Sequence, residues 1–165
     1  MMNLEKCQAI YVGNISNLVH DDVVTQGSVL AVGDLSDKKG VYEAKVPATA
    51  TLETDTFVLV FNDETIYHKF SNISDFVTMD AGTILRGYHM TVGEEFVIAE
   101  SLLAGEPTVG QFLVPADGTT KLTPSATGMD VNFVVKVVEK TTIGYEKVDA
   151  WRVRVIAPMF TDAIA

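Results

Sequence analysis

Apolar residues along the chain recur at every second position or in short unbroken runs, which is the pattern of strands and not the three-to-four spacing of an amphipathic helix. The segments with this pattern are 8–12, 28–32, 41–46, 57–61, 66–70, 83–88, 95–99, 112–114, 131–139 and 151–157. Ten strands are too many for one open sheet of ordinary size, and the turn signals between them suggest a β-sandwich or a barrel. Those signals are Val32-Gly33-Asp34, Lys39-Gly40, Asn62-Asp63, Asp117-Gly118 and Thr127-Gly128, residues that tolerate positive φ or hydrogen-bond their own backbone.

Two segments carry more detail. In 151–157, Trp151, Val153, Val155 and Ala157 alternate with Arg152, Arg154 and Ile156, so one face is expected to be buried and the other partly solvated. In 131–139, Phe133, Val135 and Val137 share one face while Val134 and Val138 occupy the other, which predicts a central strand covered on both sides. Helix is scarce: Ser71 is placed to cap a short turn bearing Ile73, Phe76 and Val77, and 98–104 reads as another turn ended by Gly105. The expected fold class is mainly β, antiparallel β-sandwich or β-barrel lobes with little helix. The polar ends of the first helical segment divide the chain into an N-terminal β lobe at 1–70, a connector at 71–82 and a C-terminal β lobe at 83–165, or leave it one domain.

A short unit is echoed along the chain. Thr25-Gln26-Gly27-Ser28-Val29-Leu30 followed by Val32-Gly33-Asp34 resembles Ala81-Gly82-Thr83-Ile84-Leu85 followed by Val92-Gly93-Glu94, with a shorter version at Val109-Gly110-Gln111-Phe112-Leu113. A strand joined to a turn in which glycine takes positive φ accounts for such a unit. Because the spacing within it varies, common reuse of one turn explains it better than duplication.

Charge narrows the function. With 12 basic and 22 acidic side chains in 165 residues, the net charge is -10, which disfavours nucleic acid and anionic membranes as partners. The longest apolar run, 57–61, has five residues, so no membrane-spanning helix is predicted. The first residues lack the features of a secretory signal, and the protein is expected to work where it is made or to leave the cell within something larger. Cys7, the single cysteine, excludes an internal disulfide and a cysteine cage.

Candidate chemistry is sparse. The chain has no Gly-x-Ser-x-Gly elbow, phosphate loop, His-Glu-x-x-His or Gly-x-Gly-x-x-Gly. His20, His68 and His89 are far apart in sequence, and structural or exposed roles suit them better than metal ligation. The acidic pairs Asp21-Asp22, Asp63-Glu64 and Glu94-Glu95, with Asp34 and Asp37, read as turn acids and not as a calcium loop. Cys7 lacks the setting of a nucleophile. No catalytic, cofactor-binding or metal-binding residue is assigned and no cofactor is expected. Arg152 and Arg154, on one face of a well-patterned strand, are the candidate partner-binding residues, with cross-strand pairing to acids as the competing reading.

One resemblance follows from particular residues. Gly82-Thr83-Ile84-Leu85-Arg86-Gly87-Tyr88, Gly93-Glu94-Glu95-Phe96 and Val109-Gly110-Gln111-Phe112-Leu113, followed by the strand at 133–138 and the arginine strand at 153–155, resemble the capsid decoration, or cement, proteins of tailed bacteriophages. The resemblance covers about the C-terminal half of the chain. It implies a β-rich, non-enzymatic virion protein, made in the host cytoplasm, that binds the capsid exterior and stabilises it. The implied partners are a major capsid protein of the HK97-type fold and neighbouring copies of itself, as in a trimer, without nucleic acid or membrane. Alternatives are a β-sandwich ligand- or carbohydrate-binding module, for which an exposed row of aromatics would be the mark, and a phage tail-tube or head-completion protein.

Overall fold

The computed structural model describes residues 2–6, 15–62, 78–144 and 147–157. The chain is mainly β, as its periodicity predicts. The strands are β1 (Met2–Lys6), β2 (Ile15–Val19), β3 (Val24–Thr25), β4 (Val29–Leu35), β5 (Tyr42–Lys45), β6 (Phe57–Val60), β7 (Thr78–Met79), β8 (Ile84–Tyr88), β9 (Glu95–Ala99), β10 (Phe112–Val114), β11 (Thr123–Ser125), β12 (Val134–Ile143) and β13 (Val148–Ala157). Helix among the described residues is limited to single 3-10 turns at Thr49–Thr51 and Glu100–Leu102, the second within the predicted 98–104 turn. The expected strands at 8–12 and 66–70 and the helical turn at 71–77 lie outside the described residues.

Two large bodies of sheet make the fold, with β3 and β7 paired as a small two-stranded sheet beside them. Five strands close into a barrel in the order β2-β5-β4-β6-β8, with β2 and β5 parallel, and six form a sheet in the order β1-β9-β13-β12-β10-β11. Alternation explains how they share a core. Along β4 and β6, Leu30, Val58 and Val60 point into the barrel with Leu18, Ala44 and Leu85, while Val29, Ala31, Phe57 and Leu59 point out of it. The outward set packs in one cluster with Phe96, Ile98, Leu113, Val135, Val137, Trp151, Val153 and Val155 of the six-stranded sheet. The run 57–60 is apolar throughout because both of its faces are buried, one by the barrel interior and one by the sheet. Each such side chain contributes about 1.5–3 kcal/mol on burial.

Backbone hydrogen bonds stitch the two bodies at their loops. Val29 N–H donates to Thr120 O (2.7 Å), Gly118 N–H to Pro47 O (3.0 Å) and Asn132 N–H to Leu52 O (2.8 Å).

Sheet membership crosses the expected lobes of 1–70 and 83–165. β8 closes the barrel against β2 and β6, and β1 forms the edge of the sheet against β9. Period-two patterning reveals which face of a strand is buried but not which strand it pairs with.

Two predicted turns are corrected. Gly33 lies inside β4, at a register shift against β5, where a Cβ would come within 2.9 Å of Lys45 Cε and 3.0 Å of Glu43 O. Gly128 permits the close approach of Val134, whose Cγ1 would be 2.8 Å from an added Cβ. In both places glycine answers crowding and not positive φ. Gly40 and Gly118 do take positive φ in turns, at 74° and 66°.

Candidate partner-binding face and other polar sites

The central hairpin of the six-stranded sheet, β12 with β13, places Val135 opposite Val155, Lys136 opposite Arg154 and Val137 opposite Val153. Trp151, Val153 and Val155 are buried, and Arg152 and Arg154 stand on the other face, as the alternation predicts. Register decides their partners. Glu95 on β9 is opposite Arg154 and Glu139 on β12 is opposite Arg152. The Nε of Arg154 donates to Glu95 Oε1 (2.8 Å), as does its Nη2, and Nη1 of Arg152 lies 2.9 Å from Glu139 Oε1. Both arginines therefore hold acids across the sheet. Arg154 keeps 55% of its side chain exposed while Glu95 keeps 8%, so its guanidinium shields a nearly buried carboxylate and still meets solvent. Lys136, missed in the sequence, joins this face, with its ammonium 5.8 Å from the ring centre of Phe112.

The echoed sequence unit becomes one recurring turn. In 25–28, 38–41, 80–83, 91–94, 108–111 and 116–119, the fourth residue's N–H donates to the first residue's C=O, and the third residue is a glycine of positive φ. The second residue does not have positive φ, which makes these type II turns. Five of them open directly into strands β4, β5, β8, β9 and β10.

Two of those turns match atom for atom. Thr91 N–H donates to the Glu94 side chain (2.8 Å) and Thr108 N–H to the Gln111 side chain (3.0 Å). Gly93 N–H donates to Val155 O and Val155 N–H to Glu94 O, both 2.9 Å. Gly110 N–H donates to Val137 O and Val137 N–H to Gln111 O, also both 2.9 Å. An axis normal to the sheet through the Lys136–Arg154 pair exchanges Val137 with Val155, Phe112 with Glu95 and Leu113 with Phe96. The four strands β9-β13-β12-β10 and their turns thus obey a local two-fold.

Three other polar groupings lie elsewhere. A cleft of about 530 Å³ at one end of the barrel is lined by His20, Asp21, Asp37, Lys38, Glu43 and Lys45 among others. The His20 ring is 2.8 Å from Ala44 O through Nδ1. A carbonyl only accepts, so Nδ1 carries a proton and donates it. Lys38 Nζ donates to Gly82 O across the cleft (2.7 Å). Among the described residues no group of three or more His, Cys, Asp or Glu is arranged to hold a metal ion.

Ser16 Oγ lies 2.7 Å from His89 Nε2, and burial pushes the His89 pKa down. A hydroxyl beside a neutral imidazole is one half of a nucleophilic constellation, but among the described residues no carboxylate orients the other ring nitrogen. The contact fastens β2 to the segment after β8. The partners are 73 positions apart in the chain, so no local signal reveals the contact. Lys140 is surrounded by Glu106 (3.2 Å), Glu100 (3.4 Å) and Asp149 (3.9 Å) and covers the Trp151 ring at 5.2 Å. Its hydrogen bond to Glu106, aided by Glu100, raises its pKa.

Among the described residues the aromatics do not form an exposed row. Phe57, Tyr88, Phe96, Phe133 and Trp151 are buried, and Tyr42 is the most exposed aromatic among the described residues. His68, Tyr67, Cys7, Tyr11 and Tyr145 lie outside the described residues. No protein-family model, no curated protein and no solved structure matches the chain.

Proposed function

We propose that the chain is a non-enzymatic virion protein that binds the outer surface of an HK97-type phage capsid and stabilises it. The observation that carries this reading is the way its resembling segments assemble. The segments 93–96, 109–113, 133–138 and 153–155, separate in sequence, fall on or beside four adjacent strands of one sheet. Four of the five resembling segments thus lie side by side on one sheet while the fifth, 82–88, falls on β8 of the barrel, and this gathering supports reading the pattern as one surface.

The physics suits the role. Binding the assembled shell but not its dissociated subunits adds free energy to the assembled state, and many copies of a weakly binding protein suffice when neighbouring subunits are bridged. The charge of -10 favours solubility of free copies. Cosedimentation with cognate heads that lack the protein tests the reading. Saturation at a copy number set by shell symmetry, with a rise in the melting temperature of the heads, is the expected result. A folded sample that does not bind, or heads equally stable without it, would overturn it.

A further inference from the structure

The six glycine turns share a backbone but differ in what they present. The second position of the turn is free of glycine's conformational demand, so its side chain is not dictated by the turn. It is Gln26, Lys39, Ala81 and Asp117 in four turns, and none of these is a large aliphatic. In the remaining two it is Val92 and Val109, exposed at 61% and 63%. These two are the turns exchanged by the local two-fold, with the same hydrogen bonds to Val155 and Val137. An exposed valine alone needs no explanation. Val23, Leu35 and Ile84 are exposed to a similar degree at other places, but among the second positions of the six turns an exposed valine occurs only in the two symmetry-related ones.

The two-fold also fixes their spacing. Gly93 and Gly110 are separated by three strand spacings across the sheet and a two-residue offset along it, which puts them about 16 Å apart. Because the axis is normal to the sheet, the two turns stand at the same height relative to it and lead into β9 and β10 from opposite ends.

We propose that Val92 and Val109 are a pair of equivalent apolar contact points, and that they engage two identical neighbouring shell subunits across a local two-fold. The inference rests on the proposed function and specifies which symmetry element of the shell is occupied. A two-fold junction presents the same patch twice in opposite orientations, and a ligand with a matching internal two-fold fills both at once. The second contact then forms at high effective concentration, so two modest contacts hold firmly. The turns are suited to this use because the backbone hydrogen bonds hold each tip in place before binding, which reduces the entropy lost.

The test is head binding by Val92→Asp, Val109→Asp, the double variant and Ala81→Asp, with circular dichroism and thermal melts to establish that each is folded. Each valine variant is expected to weaken binding by about the same factor, on the order of tenfold, and the double variant by about a hundredfold. Ala81→Asp, in a turn of the same type without a symmetry mate, is expected to bind normally. Undiminished binding by folded valine variants would overturn this inference and leave the proposed function standing. Loss in only one of the two would equally overturn the two-fold pairing. Failure of the unaltered protein to bind heads would remove both. A dimer of the free protein that dissociates in either valine variant would assign the tips to a second copy, against the shell.

Discussion

A methyl group added at Gly87 is the sharpest probe of the barrel. Gly87 is on β8, opposite Ser16 of β2 and Val60 of β6, with its missing side chain directed into the barrel interior. A Cβ there would lie 2.6 Å from Leu18 Cδ1 and 2.7 Å from Val58 Cγ2, and both side chains are fully buried. Neither can swing into solvent, so the interior must be repacked. Overpacking of this kind costs about 1–3 kcal/mol. The loss of backbone freedom in the unfolded Gly87→Ala chain returns about 0.4–1 kcal/mol, because φ at Gly87 is not positive and alanine can adopt it. The net expectation is a loss of about 1–2 kcal/mol, or roughly 2–8 °C in melting temperature for a chain of this size. Urea denaturation with an unchanged slope would attribute the loss to the native state. Val58→Ala removes one of the two obstructing groups, so the double variant should be more stable than the sum of the single losses predicts. A Gly87→Ala protein as stable as the original, or strictly additive losses, would refute a barrel closed this tightly at β8.

Three further outcomes are expected. Burial holds His89 below its ordinary 6.5 in the folded chain, so the unfolded chain takes up this proton first as pH falls. Its contribution is therefore intact above about pH 6.5 and lost in more acidic solution; thermal melts from pH 7.5 to 5 should flatten in His89→Gln, and an unchanged slope would contradict this. Arg154→Ala leaves the nearly buried Glu95 without its guanidinium and should cost about 1–2 kcal/mol, more than Arg152→Ala, whose acid Glu139 is half exposed; equal losses in denaturant titrations would show that solvent replaces both arginines equally well. Gly93→Ala and Gly110→Ala meet nothing within 4 Å but hold φ of 94° and 87°, so each should lose about 1–2 kcal/mol by strain alone. Melts of the two should agree closely, and a large difference would argue against equivalent turns.

The sequence was readable wherever one strand's own alternation carried the information. β13 is the best case, with its buried Trp151, Val153 and Val155 and its Arg152 and Arg154 face, and β6 follows from its unbroken apolar run. β2 is not legible in the sequence because Ser16 and Asn17 interrupt the apolar pattern of Ile15, Leu18 and Val19. Gly33 is ambiguous in the sequence because glycine marks both positive φ and close packing, and only the neighbouring Lys45 and the Glu43 backbone distinguish them. The site shows the same division. The Arg152 and Arg154 face is local information, whereas their pairing with Glu139 and Glu95 depends on registers set between strands far apart in sequence. The repeated Thr-Val-Gly of 91–93 and 108–110 is visible in the chain, but its two-fold arrangement exists only once β12 and β13 are paired.

The barrel's closing seam also dictates an order of assembly. β2 begins at Ile15, yet its antiparallel partner β8 ends at Tyr88, with Ile15 opposite Tyr88, so the barrel cannot close until nearly ninety residues have left the ribosome. β1 waits longer still, since Met2 pairs with Ile98. Contacts this distant in sequence make folding slow, on a scale of milliseconds to seconds for β proteins. Until then the nascent chain carries Phe57–Val60 with neither face covered and β2 with an open edge, a state prone to aggregation. Truncation between the barrel and the sheet would make that transient exposure permanent.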